Sequence, residues 1–166
     1  FARERILNAD ATTMSVGHYE GGVYNNYWVL IFSCPENSYT SNYRQEVLNL
    51  VNAERAKYGL QPLVMGDAKL TAAAQQRAEE IATVNSHVRP NGTKWYTVLS
   101  EYGVTDAAGE NAAWGSVSPE EVVNAWMNSE GHRANILDPE ARAMGVGYYY
   151  NSSSTWGHQW IKLFTK

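Results

Sequence analysis

The chain has 166 residues, enough for one domain with a full core and too few for two ordinary ones. Its 13 Lys and Arg against 17 Asp and Glu leave a net charge of −4 with no basic run, which argues against nucleic acid and anionic membranes as partners. The lone cysteine, Cys34, excludes an internal disulfide and a cysteine-based zinc site, and no apolar stretch is long enough to span a bilayer.

Phe1 follows no initiator methionine and no leader pattern, so the expectation is a piece of a longer polypeptide. The N-terminal segment repeats the C-terminal one. Residues 6–19, ILNADATTMSVGHY, match half the positions of residues 136–149, ILDPEARAMGVGYY. After a two-residue slip, WVLIF at 28–32 matches WIKLF at 160–164. Residues 1–33 are therefore expected to be the C-terminal remnant of an upstream domain like the one that follows. Phe1 and Ala2 stand opposite Gly131 and His132, so this copy carries no counterpart of His132. An extra strand hairpin there would leave adhesive edges and could pair two chains into a dimer. Residues 34–40 are polar and turn-prone and read as a linker, with Pro35 stopping the strand before it.

The complete domain is expected over residues 41–166. A first helix over about 42–58 carries Tyr43, Val47, Leu50, Val51 and Tyr58 at helical spacing and stops at Gly59. A second begins at the N-cap Asp67 and runs to about Val84, with Leu70, Ala74, Arg77, Ala78 and Ile81 on its inner stripe. A short helix over 95–102 follows. Another starts at Ser118, with Pro119 in its first turn, Glu121 closing a capping box, and Gly131 ending or kinking it. Met144, Val146, Tyr148 and Tyr150 alternate as a strand, and a turn at Asn151 leads into a last strand over 156–164. Helices followed by a hairpin predict an α+β fold, helices packed on an antiparallel sheet. Eleven Tyr and six Trp suit strands, cavity walls and binding surfaces.

Four strings carry the chemistry: Ser86-His87-Val88-Arg89-Pro90, Gly109-Glu110-Asn111 in an expected loop, Gly131-His132-Arg133-Ala134-Asn135-Ile136-Leu137, and Met144-Gly145-Val146-Gly147. Two imidazoles and a carboxylate brought together make an open metal site or a proton-transfer site. A glutamate can also orient a ligating histidine from outside. His87, Glu110 and His132 are far apart in sequence, and each alone reads more simply as a structural or surface residue.

In this order the four strings resemble the bacterial branch of the CAP superfamily, the cysteine-rich secretory, antigen 5 and pathogenesis-related proteins. The likeness extends over Tyr43–Phe164 and includes Leu50-Val51-Asn52-Ala53-Glu54-Arg55 and Gly59-Leu60-Gln61-Pro62-Leu63. It implies a three-layer α-β-α sandwich with a central antiparallel sheet. It also implies a cleft of two histidines and two acidic residues, whose histidines hold zinc or another divalent cation. His87, Glu110 and His132 match three of those positions. The fourth holds Ser129, with Glu130 beside it as a substitute. A one-residue shift on a helix turns a side chain by about 100°. Where relatives carry Trp-Thr-Gln, this chain has Trp160-Ile161-Lys162. The function implied is a secreted or cell-surface binding module for a small ligand or a protein. The alternatives are a hydrolase using metal-bound water with Glu110 as base, and a structural scaffold; no Gly-x-Ser-x-Gly or His-Glu-x-x-His string supports the former.

Overall fold

In a computed structural model of the chain, residues 13–33 and 36–166 are described. The readings above that fall on residues 1–12, Cys34 and Pro35 lie outside them. The chain divides into two units, Phe1–Asn42 and Tyr43–Lys166.

In the first unit, β1 (Thr13–Glu20) and β2 (Asn26–Ser33) pair antiparallel, with Val16 opposite Leu30 and His18 opposite Trp28. Their turn closes with the Gly21 amide donating to the Asn25 carbonyl at 2.7 Å, and Gly22 and Asn25 take positive φ. Helix α1 (Glu36–Lys57) begins inside the segment expected to be linker, so residues 36–40 are helical. It ends before Gly59, whose φ of 68° suits a residue without a Cβ.

In the second unit, α1 is followed by β3 (Val64–Met65), α2 (Ala68–Ile81), α3 (Thr97–Glu101) and β4 (Ala107–Trp114). Then come α4 (Pro119–Met127), α5 (Glu130–Ile136), β5 (Ala143–Tyr150) and β6 (His158–Thr165). The sheet order is β3-β5-β6-β4. It is antiparallel throughout except at its short edge, where β3 runs parallel to β5.

Two apolar clusters lie on opposite faces of this sheet. Val47, Val51, Trp126, Ile136, Met144, Val146, Trp160 and Phe164 fill the layer beneath α1, α4 and α5. Leu70, Ala74, Ala78, Ile81, Ile161 and Leu163 fill the layer beneath α2. The α-β-α sandwich expected from the sequence is thus the observed fold. Gly145 and Gly147 face α2. A Cβ on Gly147 would lie 2.0 Å from the Ala74 carbonyl oxygen, so the glycine lets the helix backbone rest on the strand.

Several elements differ from the sequence reading. α2 stops at Ile81, because the next three amides turn back to the carbonyls of Glu79 and Glu80 and Thr83 Oγ1 also donates to Glu80. The helix that starts at Pro119 breaks at Asn128–Ser129, ahead of Gly131, which lies inside α5. Ser118 Oγ accepts from the Glu121 amide as expected, while the Glu121 carboxylate reaches back to the Val117 amide, not to that of Ser118. The largest difference is β4. The segment holding Gly109-Glu110-Asn111 is a strand of the sheet, not a loop.

Candidate functional site

β4 pairs with β6 on one side, Glu110 opposite Leu163 and Asn111 opposite Lys162, and is an edge strand on the other. Alternation therefore sends Glu110 and Asn111 to opposite faces. Asn135 of α5 covers the open edge. Its Nδ2 donates to the Glu110 carbonyl at 3.2 Å and to Asn111 Oδ1 at 2.8 Å. Asn111 Nδ2 in turn donates to the His132 carbonyl at 3.0 Å. Gly109 leaves the room this needs, since a Cβ there would lie 2.9 Å from Asn135 Cγ. These bonds fasten the Gly-Glu-Asn strand to the helix that carries His132.

On the α2 face, the Glu110 carboxylate is fully buried beside an equally buried Arg77. Arg77 Nε donates to Oε2 at 2.8 Å and Nη2 to Oε1 at 3.2 Å. Arg77 Nη1 also donates to Glu80 at 2.7 Å. Arg89 bridges Glu80 and Glu101, and the hydrogen bonds it donates to Glu101 and Glu80 hold its pKa above the usual arginine value. The charges alternate from Glu110 through Arg77, Glu80 and Arg89 to Glu101, so each buried ion has an opposite neighbour. Arg89 also pins the loop after α2, which closes through Trp95 N donating to the His87 carbonyl and a bridge between Val88 and Lys94.

That loop carries His87. Its Nδ1 lies 2.7 Å from Glu110 Oε1, with about half of the side chain exposed. Both Glu110 oxygens already accept from Arg77, so Nδ1 is the donor and Nε2 is the nitrogen left for a ligand. The Glu110 hydrogen bond is the main cause of a raised His87 pKa, against burial and the charge of Arg77. His132 is pushed the other way, by burial first and then by the charges of His87 and Lys162. The charge of His87 thus acts on His132, and one imidazole is biased toward the proton and the other toward the neutral form.

Glu130 opens α5 in an exposed position, away from the Glu110–Arg77 pair in burial and bonding. Among the described residues no three His, Cys, Asp or Glu side chains converge on one ion position. His158 bonds to Tyr148 through Nδ1 at 2.8 Å and stands on β6 outside this cluster.

Four participants escaped the sequence reading as site residues. Arg77 was legible only as a charged residue on a buried stripe, which demands an anionic partner. Asn111 and Asn135 sat inside the diagnostic strings without a stated role. Lys162 is the fourth. Its Nζ is fully buried, 4.5 Å from the Trp126 ring and 4.9 Å from the Phe164 ring, with no hydrogen-bond partner among the described residues. Burial, with the charge of Arg55, lowers its pKa well below the lysine value.

Three layers with a glutamate-bearing edge strand, bonded to a loop that carries one histidine and a helix that carries another, define a small α-β-α domain, and comparison with known proteins places it further. A family model described as CAP, cysteine-rich secretory protein family, matches residues 48–161, and the chain belongs to that family. It is 42% identical over 127 residues to the uncharacterized protein YkwD of Bacillus subtilis, covering 75% of this chain and 49% of that one. It is 36% identical over 110 residues to the uncharacterized membrane protein YlbC of the same organism, covering 62% and 30%. The chain thus spans about half or less of the curated relatives it matches. An extracellular protein containing a SCP domain from Bacillus anthracis superposes with a TM-score of 0.68 at 24% identity, over 84% of this chain and 47% of that one. An outer surface protein from Borrelia burgdorferi gives 0.64 at 21% identity, over 74% and 90%. Among the described residues no helix is long and apolar enough to cross a membrane.

Proposed function

We propose that this domain is an extracellular or cell-surface binding module, in which His87 and His132 hold a divalent cation such as zinc beside a site for a small ligand or a protein. The supporting observation is the 2.7 Å contact between His87 Nδ1 and a buried, arginine-anchored Glu110, which fixes the ring and leaves Nε2 for the ion. The low pKa of His132 favours the neutral, ligating imidazole. Two imidazoles without a third protein ligand suit an exchangeable ion completed by water or by the bound partner. Such an ion supplies a positive centre for an oxygen or carboxylate of the ligand. The names of the solved relatives, extracellular and outer surface proteins, support the location.

The hydrolase alternative needs Glu110 as a free base. The carboxylate is fully buried, both its oxygens accept from Arg77, and one also accepts from His87, so three of its roughly four acceptor sites are engaged by the protein itself. This favours binding over hydrolysis. Calorimetric zinc titration of the metal-stripped protein tests the reading. One ion per chain, lost in His132→Ala, is expected; no uptake by the intact protein would overturn it.

A further inference from the structure

The β1–β2 hairpin reproduces the β5–β6 pair in register, not only in sequence. Met14 opposite Phe32, Val16 opposite Leu30, Gly17 opposite Val29 and His18 opposite Trp28 correspond to Met144–Phe164, Val146–Lys162, Gly147–Ile161 and Tyr148–Trp160. The two-residue slip is absorbed in the turn, and every cross-strand pair between is preserved.

In β5–β6 both faces are covered. Met144, Val146 and Trp160 lie under one helical layer and Ile161 and Leu163 under the other, all with 0% exposure. The hairpin has the same two-sided apolar character. Met14, Val16, Trp28 and Leu30 lie on one face and Tyr19, Val29 and Ile31 on the other, yet their exposures run from 46% at Leu30 to 67% at Trp28. A strand pair apolar on both faces belongs in the middle of a three-layer fold, not on a surface.

Gly17 says what lies on one face. Its counterpart Gly147 is needed because the Ala74 carbonyl of α2 would be 2.0 Å from a Cβ. A Cβ on Gly17 meets nothing within 4 Å. A strand-interior glycine costs stability and marks a close backbone approach, and the hairpin alone contains no such approach.

We propose that β1–β2 are the last two strands of a second domain of the same family. The polypeptide that precedes residue 13 in the intact gene product supplies its helical layers, and a helix backbone rests on Gly17 as α2 rests on Gly147. The proposal is independent of the metal reading. Hydrogen exchange by mass spectrometry on the full-length gene product tests it, alone and with Gly17→Val. Peptides over 13–33 are expected to be protected comparably to those over 143–165, at any protein concentration. Gly17→Val is expected to speed exchange over 13–33 on the order of 100-fold or more while leaving 143–165 unchanged. Three results would overturn the proposal. One is rapid exchange over 13–33 in the intact protein. Another is protection that Gly17→Val does not touch. The third is protection that appears only at concentrations where light scattering shows a dimer, which would assign the covering surface to a second copy of the chain.

Discussion

Glu110 and Arg77 are both fully buried, so neither charge survives the loss of the other without cost. Glu110→Gln removes one of the two counter-ions of the buried guanidinium and leaves Glu80, and chemical denaturation should show a loss of about 3 kcal/mol, the low end for a broken buried pair. The histidines give a signed pH dependence. His87, with its pKa raised in the fold, adds stability that is full below about 6.5 and fades as pH rises through its folded pKa. His132, with its pKa lowered, removes stability as pH falls from about 6.5 through its own folded pKa. The pair's contribution therefore peaks near pH 6.5, and imidazole titration by NMR should place the His87 midpoint above and the His132 midpoint below that value. Ion binding must displace the His87 proton, so zinc affinity should rise with pH through the His87 midpoint. Lys162 is a third case. Between its depressed folded pKa and about 10.4, the unfolded chain binds the extra proton, so stability rises with pH across that window. Lys162→Met removes a buried unsatisfied donor and should stabilise the protein at pH 7 by about 1–3 kcal/mol, an advantage that shrinks as pH approaches 10. The hairpin copy has Leu30 at this register position, so nothing in the strand pairing requires a lysine.

At the scale of elements, the close seating of α2 on β5 is the most sensitive contact. Gly147→Ala puts a methyl against the Ala74 carbonyl, a backbone atom that cannot rotate away, and should cost at least about 3 kcal/mol in the midpoint-derived stability. The helices with strong end signals were legible in the sequence, because Asp67 and Ser118 cap them through their own side chains. β5 and β6 were legible from alternation and from the Asn151 turn. β4 was not. AAGENAAW has no β-branched residue and no alternation, because its small residues answer to helices on both faces and to Asn135 at its edge. The site was legible in part. The strings named His87, Glu110 and His132, but the contacts that position them join Arg77 to Glu110 and Asn135 to Asn111 across the sheet, and no local pattern in one sequence carries such pairings.

For the whole molecule, the sandwich acts as a clamp on two short chains of polar contacts. One runs from Glu110 through Arg77 to Arg89 and fixes the His87 loop; the other runs through Asn111 and Asn135 and fixes the His132 helix. Both meet at Glu110 and Asn111, neighbours on one edge strand, which is how residues so distant in sequence are tied to the same strand. The four histidines make this arrangement directly observable. Proton NMR of their Cε1–H signals during zinc titration of the metal-stripped protein separates cleft from surface. If the two imidazoles share an ion, the His87 and His132 signals will move together and saturate at one equivalent, while those of His18 and His158 stay in place. If zinc moves only His18 or His158, or moves none of the four, the cleft does not hold a metal and the binding role assigned to it is wrong.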